Sequence, residues 1–582
     1  MKTEWNLEVL YKGLDDPAYE ADMKRYEEAQ KEFVELYESV KNQKPEDVAE
    51  ALLLKEEETA VLLRKLSEYI SLRQAVETEN GDLMAQMNRL VRIYNNAVGT
   101  MLAAEQFVAK IEDIDAAATK SEVIAAYRAM ILRNKEKEKY MFSDEVETMI
   151  SAMEVTGGSA WGQLQSYLTS TVKVDYEGEQ ITLTQVRNLA NSPDAAVRKA
   201  AYEAEIAAYE KIEDALAFAL NNIKNQVTML CEKRGYESPL AMTLMDARMK
   251  RETLDAMMEA IKEYLPTFRK YLRKKGEMLG HNNGLPWYEL FAPMGKVEKT
   301  YTVEEARDYL VNCFSNFSTE MSDMMAEAFD NEWIDFFPRK GKEGGAFCAG
   351  VECIKQSRIL TNFDGSFSSI GTLAHELGHA YHNLQIQNER IMNQDYPMPV
   401  AETASTFNET HLGQHAVAQA SGEELLNLLE NDLKEQTQCI VDIYSRYLFE
   451  TAVFEQSQNK FLMAADMKEL MLNAQKEAYG DGLDENCMHP YMWACKGHYY
   501  SSGLSFYNFP YAFGNLFALG LYSKFLEEGE SFVPKYNALL NATAKCSVEE
   551  AGAMVGIDLT NKEFWKSSLA LIAKNIEKFC EL

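Results

Sequence analysis

A mainly α-helical fold with a small sheet is what this sequence predicts, on three observations. Apolar residues recur at helical spacing through most of the 582 positions. Only short segments alternate at the two-residue period of a strand. No internal repeat or low-complexity tract breaks the pattern.

Taken in order, residues 21–42 place Tyr26, Phe33, Leu36 and Tyr37 on roughly one face, the stripe of an amphipathic helix. Lys44-Pro45-Glu46-Asp47 reads as a helix start. Pro45 in a first turn forfeits no hydrogen bond, and the two acids suit the positive end of the dipole. That helix is expected to reach about residue 72, and others to cover 83–111, 121–155 and the Ala-rich 195–234. Residues 171–183 (TVKVDYEGEQITL) alternate around Glu-Gly-Glu and predict a hairpin. Residues 251–278 are helical and 281–286 a loop. The Gly-rich 341–350 and strand-like 351–362 predict a second hairpin. Asp364-Gly365-Ser366 is a turn, with Ser368 or Ser369 capping the helix after it. Helices return over 423–478 and from 511 onward. A soft boundary near 185–200 divides an N-terminal helical domain, 1–190, from a second domain, 191–582. No Pro/Gly linker marks it, so the two are expected to pack closely.

Composition narrows the function classes. With 46% apolar and 26% charged residues the chain is globular with a large core, and its 30 Tyr, 26 Phe and 28 Met read as core filling. A net charge of −32 repels phosphate backbones and argues against nucleic acid. The nine Cys form no CxxC pair, and the closest spacings, Cys348/Cys353 and Cys487/Cys495, fit no zinc ribbon. They are expected to be reduced, mostly buried thiols. The start, MKTEWNLEVLYKGLDD, lacks the apolar stretch of a signal peptide, and the apolar 511–522 is too short to span a bilayer. A cytoplasmic location away from membranes is expected; oligomeric state is left open.

Chemistry concentrates at His375-Glu376-Leu377-Gly378-His379. In a helix, His375 and His379 share a face and both imidazoles can reach one zinc ion. Glu376 sits one residue round, beside the metal, where it can hold the water that the metal activates. Composition alone yields on the order of 0.01 chance HExxH motifs. The best candidate for a third ligand is Glu402 in PVAETASTFNE, expected in the first turn of a helix that starts after Pro397 and Pro399. Glu409, seven residues on, could bond a ligand His from behind. A crowd of donors, His498, Tyr499, Tyr500, Tyr507 and Tyr511, lies in GHYYSSGLSFYNFPYAFG and could face a developing oxyanion. His411 and His415 repeat the four-residue spacing without the following Glu and read as ordinary helix residues. Arg358 to Phe363 (RILTNF), just before the metal helix, is placed as an edge strand able to pair with an extended peptide.

HELGHAYH followed by AETASTFNE resembles the oligoendopeptidase F branch of the thimet oligopeptidase family of zinc metallopeptidases. Trp5-Asn6-Leu7, Tyr236-Glu237-Ser238-Pro239, Trp287-Tyr288-Glu289-Leu290 and Gly345-Ala346-Phe347-Cys348 extend the likeness over nearly the whole chain. The resemblance implies a zincin-type helical metallopeptidase with a small sheet beside the metal site and a deep channel that admits short unfolded oligopeptides. It implies one Zn²⁺ per chain on His375, His379 and Glu402, with Glu376 as base. It implies that His498, Tyr507 and Tyr511 close over the substrate, and that Gly345, Ala346 and Phe347 contact it; Tyr500 is added as a further contact. The spacing of the two later Tyr departs by one residue from the thimet branch, which leaves open which one meets the oxyanion. Internal cleavage is the expectation; a carboxypeptidase or dipeptidase on the same scaffold, or a non-catalytic peptide binder, are the alternatives.

Overall fold

The computed structural model describes residues 2–295 and 299–582. Helices α1 (Pro17–Val40), α2 (Pro45–Val76) and α3 (Gly81–Ala109) pack on one another. The start signals are local. Asp16 caps α1 ahead of Pro17, Asn80 caps α3, and Pro45 opens α2 with Glu46 and Asp47 in its first turn. Tyr26 and Phe33 face the core; Leu36 and Tyr37 are only half-buried.

Two expected helices are each broken by tertiary contacts. The 121–155 segment becomes Glu122–Glu138 and Asp144–Glu154. Between them the Tyr140 ring stacks on Tyr236 at 3.9 Å, and Arg234 donates to the Tyr140 carbonyl. The 195–234 segment becomes Ala195–Glu210 and Glu213–Arg234. At the break, Lys211 donates back to the Lys173 carbonyl and to Asp175. Propensity alone cannot show either contact.

The first hairpin is present as predicted, β1 (Val174–Tyr176) against β2 (Glu179–Ile181). Its turn residues Glu177 and Gly178 both take positive φ, 50° and 86°, as a two-residue hairpin turn requires. The second sheet differs from expectation. β4 (Phe347–Val351) and β5 (Gln356–Leu360) form the antiparallel hairpin, and β3 (Ile334–Asp335) adds in parallel, giving the order β3-β5-β4. The segment from Arg358 is therefore central, not an edge: Ile359 pairs with both Ile334 and Cys348. β4 is one of the two edges, the two-residue β3 being the other.

Successive β5 side chains point to opposite cores, as the pleat demands. Ile359 enters the large core that runs from Val174 to Phe579, while Leu360 joins α1–α3 residues such as Tyr69 and Leu90. The sheet is thus a septum between two apolar bodies. Its end is tied by Lys342, which pairs with the fully buried Asp335 at 2.7 Å and donates to the carbonyls of Asp335, Phe337 and Thr361.

Ser366, not Ser368 or Ser369, caps the metal helix (Phe367–Ile386), by accepting the Ser369 N–H. The Ser369 hydroxyl is drawn away to Asp364 at 2.6 Å. Only Cys231 and Cys313 are fully buried and Cys353 is exposed, which corrects the expectation of mostly buried thiols. Among the described residues no helix is long and apolar enough to cross a membrane.

Replacing Lys342 with Met takes a donor from the Phe337 and Thr361 carbonyls, leaves the Asp335 carbonyl with the Thr361 N–H, and leaves the Asp335 carboxylate with Arg339. A destabilisation of roughly 3–5 kcal/mol is expected, read as a lower denaturant midpoint with β4 and β5 amides losing exchange protection first.

Candidate metal centre

The metal helix lies directly against a second helix, Thr403–Gln419. Gly378 makes that possible. A Cβ there would stand 2.6 Å from both the Ala404 carbonyl oxygen and the Ser405 Cα. Only hydrogen lets the two backbones meet this closely. Asn408 spans the same contact, donating to the Ala374 carbonyl at 3.0 Å.

This approach sets where the ligands meet. Glu402 is not in a first turn, as expected, but at the junction between a short helix, Met398–Ala401, and the longer one. There its Oε2 lies 3.3 Å from His375 Nε2 and 3.4 Å from His379 Nε2. Ligands about 2.0–2.1 Å from a tetrahedral ion stand about 3.3–3.4 Å from each other. Each imidazole stands at this spacing from the carboxylate, and all three ligand atoms lie within 4.8 Å of one another, so the set fits a metal ion. Among the described residues, no other group of three or more His, Cys, Asp or Glu side chains converges this way.

The flanking groups orient the ligands. Glu409 Oε1 lies 3.2 Å from His375 Nδ1, so Nδ1–H donates to it and the Nε2 lone pair points at the centre. Burial disfavours a charged His375, but hydrogen bonds to Glu402 and Glu409 outweigh it and push the imidazole up to about 10 when no metal competes. Glu402 is opposed by burial yet held well below the usual carboxylate range by His375 and His379. Ser405 fixes the same carboxylate oxygen at 2.7 Å. Glu376 is 5% exposed and its Oε2 has no partner among the described residues. Burial raises its proton affinity, partly countered by the two neighbouring imidazoles.

A pocket of about 660 Å³ opens over these residues, lined on one side by Ala346, Phe347 and Cys348 and on another by Arg64 and Glu68 of α2. Gly345 turns into β4 with φ 81° and is exposed. The contributions from α2 carry no signal in the sequence, because nothing local marks a helix three hundred positions upstream as a wall.

His498, Tyr507 and Tyr511 form a ring cluster with centroids 4.7, 6.1 and 5.7 Å apart. Tyr511 opens the helix Phe509–Glu528, one turn before Gly514, whose Cβ position is 3.4 Å from the Glu402 Cβ. The cluster thus stands beside the third ligand. Burial, then the charges of Arg446 and Lys496, hold His498 below its usual range and so neutral near pH 7. Burial and the hydrogen bond that Tyr511 donates to Tyr507 raise Tyr511. The loop between them rests on the helix Gly158–Thr171. A Cβ on Gly162 would lie 2.6 Å from the Tyr500 carbonyl, and Glu154 accepts from Ser502. Phe506, at φ 54°, turns the chain into Tyr507 while its own ring stacks on Phe454.

Tyr500 does not fit the place expected for it. It is 4% exposed and its hydroxyl is sealed from solvent, so its side chain is packed inward and presents no hydroxyl to the solvent side. Three further histidines are buried with partners of their own. His411 bonds the Cys313 carbonyl, His382 bonds Thr543 and the Leu540 carbonyl, and His489 lies 3.4 Å from Glu205.

Residues 188–571 match peptidase family M3. The chain belongs to that family. Oligopeptidase PepF of Bacillus subtilis is 23% identical over 532 residues, covering 89% of this chain and 79% of its own length. An oligoendopeptidase F homolog of Lactococcus lactis is 24% identical, covering 100% of this chain and 97% of its own. The fold is shared with a solved Chlamydophila abortus protein, at TM-score 0.87 and 19% identity over 100% and 98% of the two chains. It is shared also with oligoendopeptidase-F from Enterococcus faecium, at TM-score 0.71 and 17% identity over 97% and 98%.

For this M3 chain the helix contact at Gly378 is the feature to disturb. Gly378→Ala must separate the metal helix from residues 404–405. Overpacking of roughly 1–3 kcal/mol should weaken metal binding about tenfold or more in a competitive chelator titration, with helicity by circular dichroism unchanged.

Proposed function

We propose that this chain is a zinc-dependent endopeptidase that hydrolyses internal bonds of short, unfolded oligopeptides. The observation that carries it is the convergence of His375, His379 and Glu402 ligand atoms within 4.8 Å of one another, beside a buried Glu376 carboxylate with an oxygen unpartnered among the described residues. The relatives' names, oligopeptidase and oligoendopeptidase, support the substrate class and the internal cut. We take residues 1–190 as the wall of the substrate cleft and 191–582 as the body bearing the chemistry.

Zinc, when bound by His375, His379 and Glu402, supplies Lewis acidity and brings the pKa of its water to about 7. Glu376 Oε2 takes a proton from the attacking water. Its burial, which favours the protonated form, lets it hold that proton until the amide nitrogen leaves and then return it there. Glu409 keeps His375 in the tautomer with Nε2 free. Neutral His498 donates an N–H toward the carbonyl oxygen as that oxygen gains charge, with the Tyr507 and Tyr511 hydroxyls beside it. The free edge of β4 offers backbone N–H and C=O groups to an extended peptide, and Ala346 and Phe347 line its approach.

Glu376→Gln should cost roughly 10²–10⁴ in kcat on an internally quenched peptide while one zinc per chain is retained. Unchanged hydrolysis would refute the assignment. Chelation should abolish activity and zinc should restore it, with product masses showing internal cuts. His498→Ala should lower kcat by roughly 10²–10³, and His498→Gln, which keeps a donor, should recover part of that loss. Equal rates for the two variants would remove His498 from the oxyanion side.

A further inference from the structure

The wall that α2 lends to the metal-site pocket contains a carboxylate without a partner. Arg64 and Glu68 lie one turn apart on α2 and both line the pocket. At this spacing they would ordinarily pair with each other. Arg64 is instead taken by two other acids, Glu352 in the β4–β5 connection at 3.0 Å and Asp395 at 2.6 Å. Glu68 is left half-buried, with no hydrogen bond or ion pair to any described side chain.

Its surroundings favour a cation. Burial, then the charge of Glu352, pushes Glu68 up to about 7, and Arg64 offsets this only in part. The pocket holds Glu68, Glu352, Asp395, Glu376 and Glu402; of its basic groups, Arg64 is already taken by Glu352 and Asp395, and His375 and His379 lie against Glu402. Glu68 also lies within electrostatic reach of Cys348 on the free edge strand, whose thiol is pushed up by burial, then by Glu376 and more weakly by Glu68. Phe347 and Tyr396 on the same lining offer apolar surface to an aliphatic stem. Inside a cleft, an ionised carboxylate with no partner is costly, and a charged donor that fills the gap recovers that cost.

We propose that Glu68 is a specificity-determining residue that receives a positively charged group of a peptide lying along β4, either a Lys or Arg side chain or a free amino terminus. This rests on the peptidase reading above. It assigns to the N-terminal helices a part in substrate choice that is separate from the metal chemistry.

The test uses zinc-loaded enzyme and internally quenched peptides that carry Lys, norleucine or Glu at one position at a time, each with a free and an acetylated amino terminus. The wild type should favour a cation at one position. Glu68→Gln should cut the Lys-to-norleucine ratio of kcat/KM about tenfold, and Glu68→Lys should turn the preference toward Glu. If the amino terminus is the group recognised, acetylation should remove the wild-type preference and leave Glu68→Gln unaffected. Should Glu68→Lys fail to fold, the isosteric Glu68→Gln carries the test. The proposal would be overturned if both the Lys-to-norleucine and the free-to-acetylated ratios were the same in wild type and Glu68→Gln. If the wild type cleaves no peptide at all, the peptidase reading fails by itself. The Lys-to-norleucine and free-to-acetylated ratios are then read from binding by fluorescence anisotropy, where no difference in either between wild type and Glu68→Gln overturns the role of Glu68.

Discussion

The metal centre depends on one contact, the backbone-to-backbone approach of the metal helix to residues 404–405 at Gly378. A side chain there would hold the helices apart and carry Glu402 away from the imidazoles. With hydrogen in its place, Asn408 can reach the Ala374 carbonyl and Glu409 can reach His375. The helix Phe509–Glu528 then fits against Glu402 at Gly514 and brings Tyr511 alongside. Ligand spacing, ligand orientation and the placing of the aromatic cluster all follow from how closely two helices can lie.

A second constraint acts through the sheet. β5 shows Ile359 to the large core and Leu360 to the N-terminal helices, so it joins the two bodies through side chains on opposite faces. This leaves β4 as an edge toward the metal helix and brings Arg64 and Glu68 of α2 into the pocket. The N-terminal helices are therefore a wall of the site as well as a support for it.

What the sequence disclosed follows from how local each signal was. His375 and His379 lie on one turn, so their spacing could be read directly, and Glu402 was marked by the prolines that precede it. The β1–β2 hairpin was marked by its turn. The order β3-β5-β4 was not, because β3 is two residues long and its pairing with β5 is distant in sequence; RILTNF looked like an edge only because that partner was invisible. Tyr500 shared its neighbours' composition but faces inward, and residue type says nothing about which side of a loop meets the cleft. The helix breaks near Tyr140 and Lys211 were hidden for the same reason, since each is made by a contact with a remote segment.

The most direct test of the central claim is X-ray absorption at the zinc edge on the purified protein. The account predicts a four-coordinate ion with two imidazole nitrogens and oxygen ligands, all at about 2.0–2.2 Å, and no sulfur. Sulfur in the first shell, or a single imidazole, would contradict a site built by His375, His379 and Glu402 across the Gly378 contact.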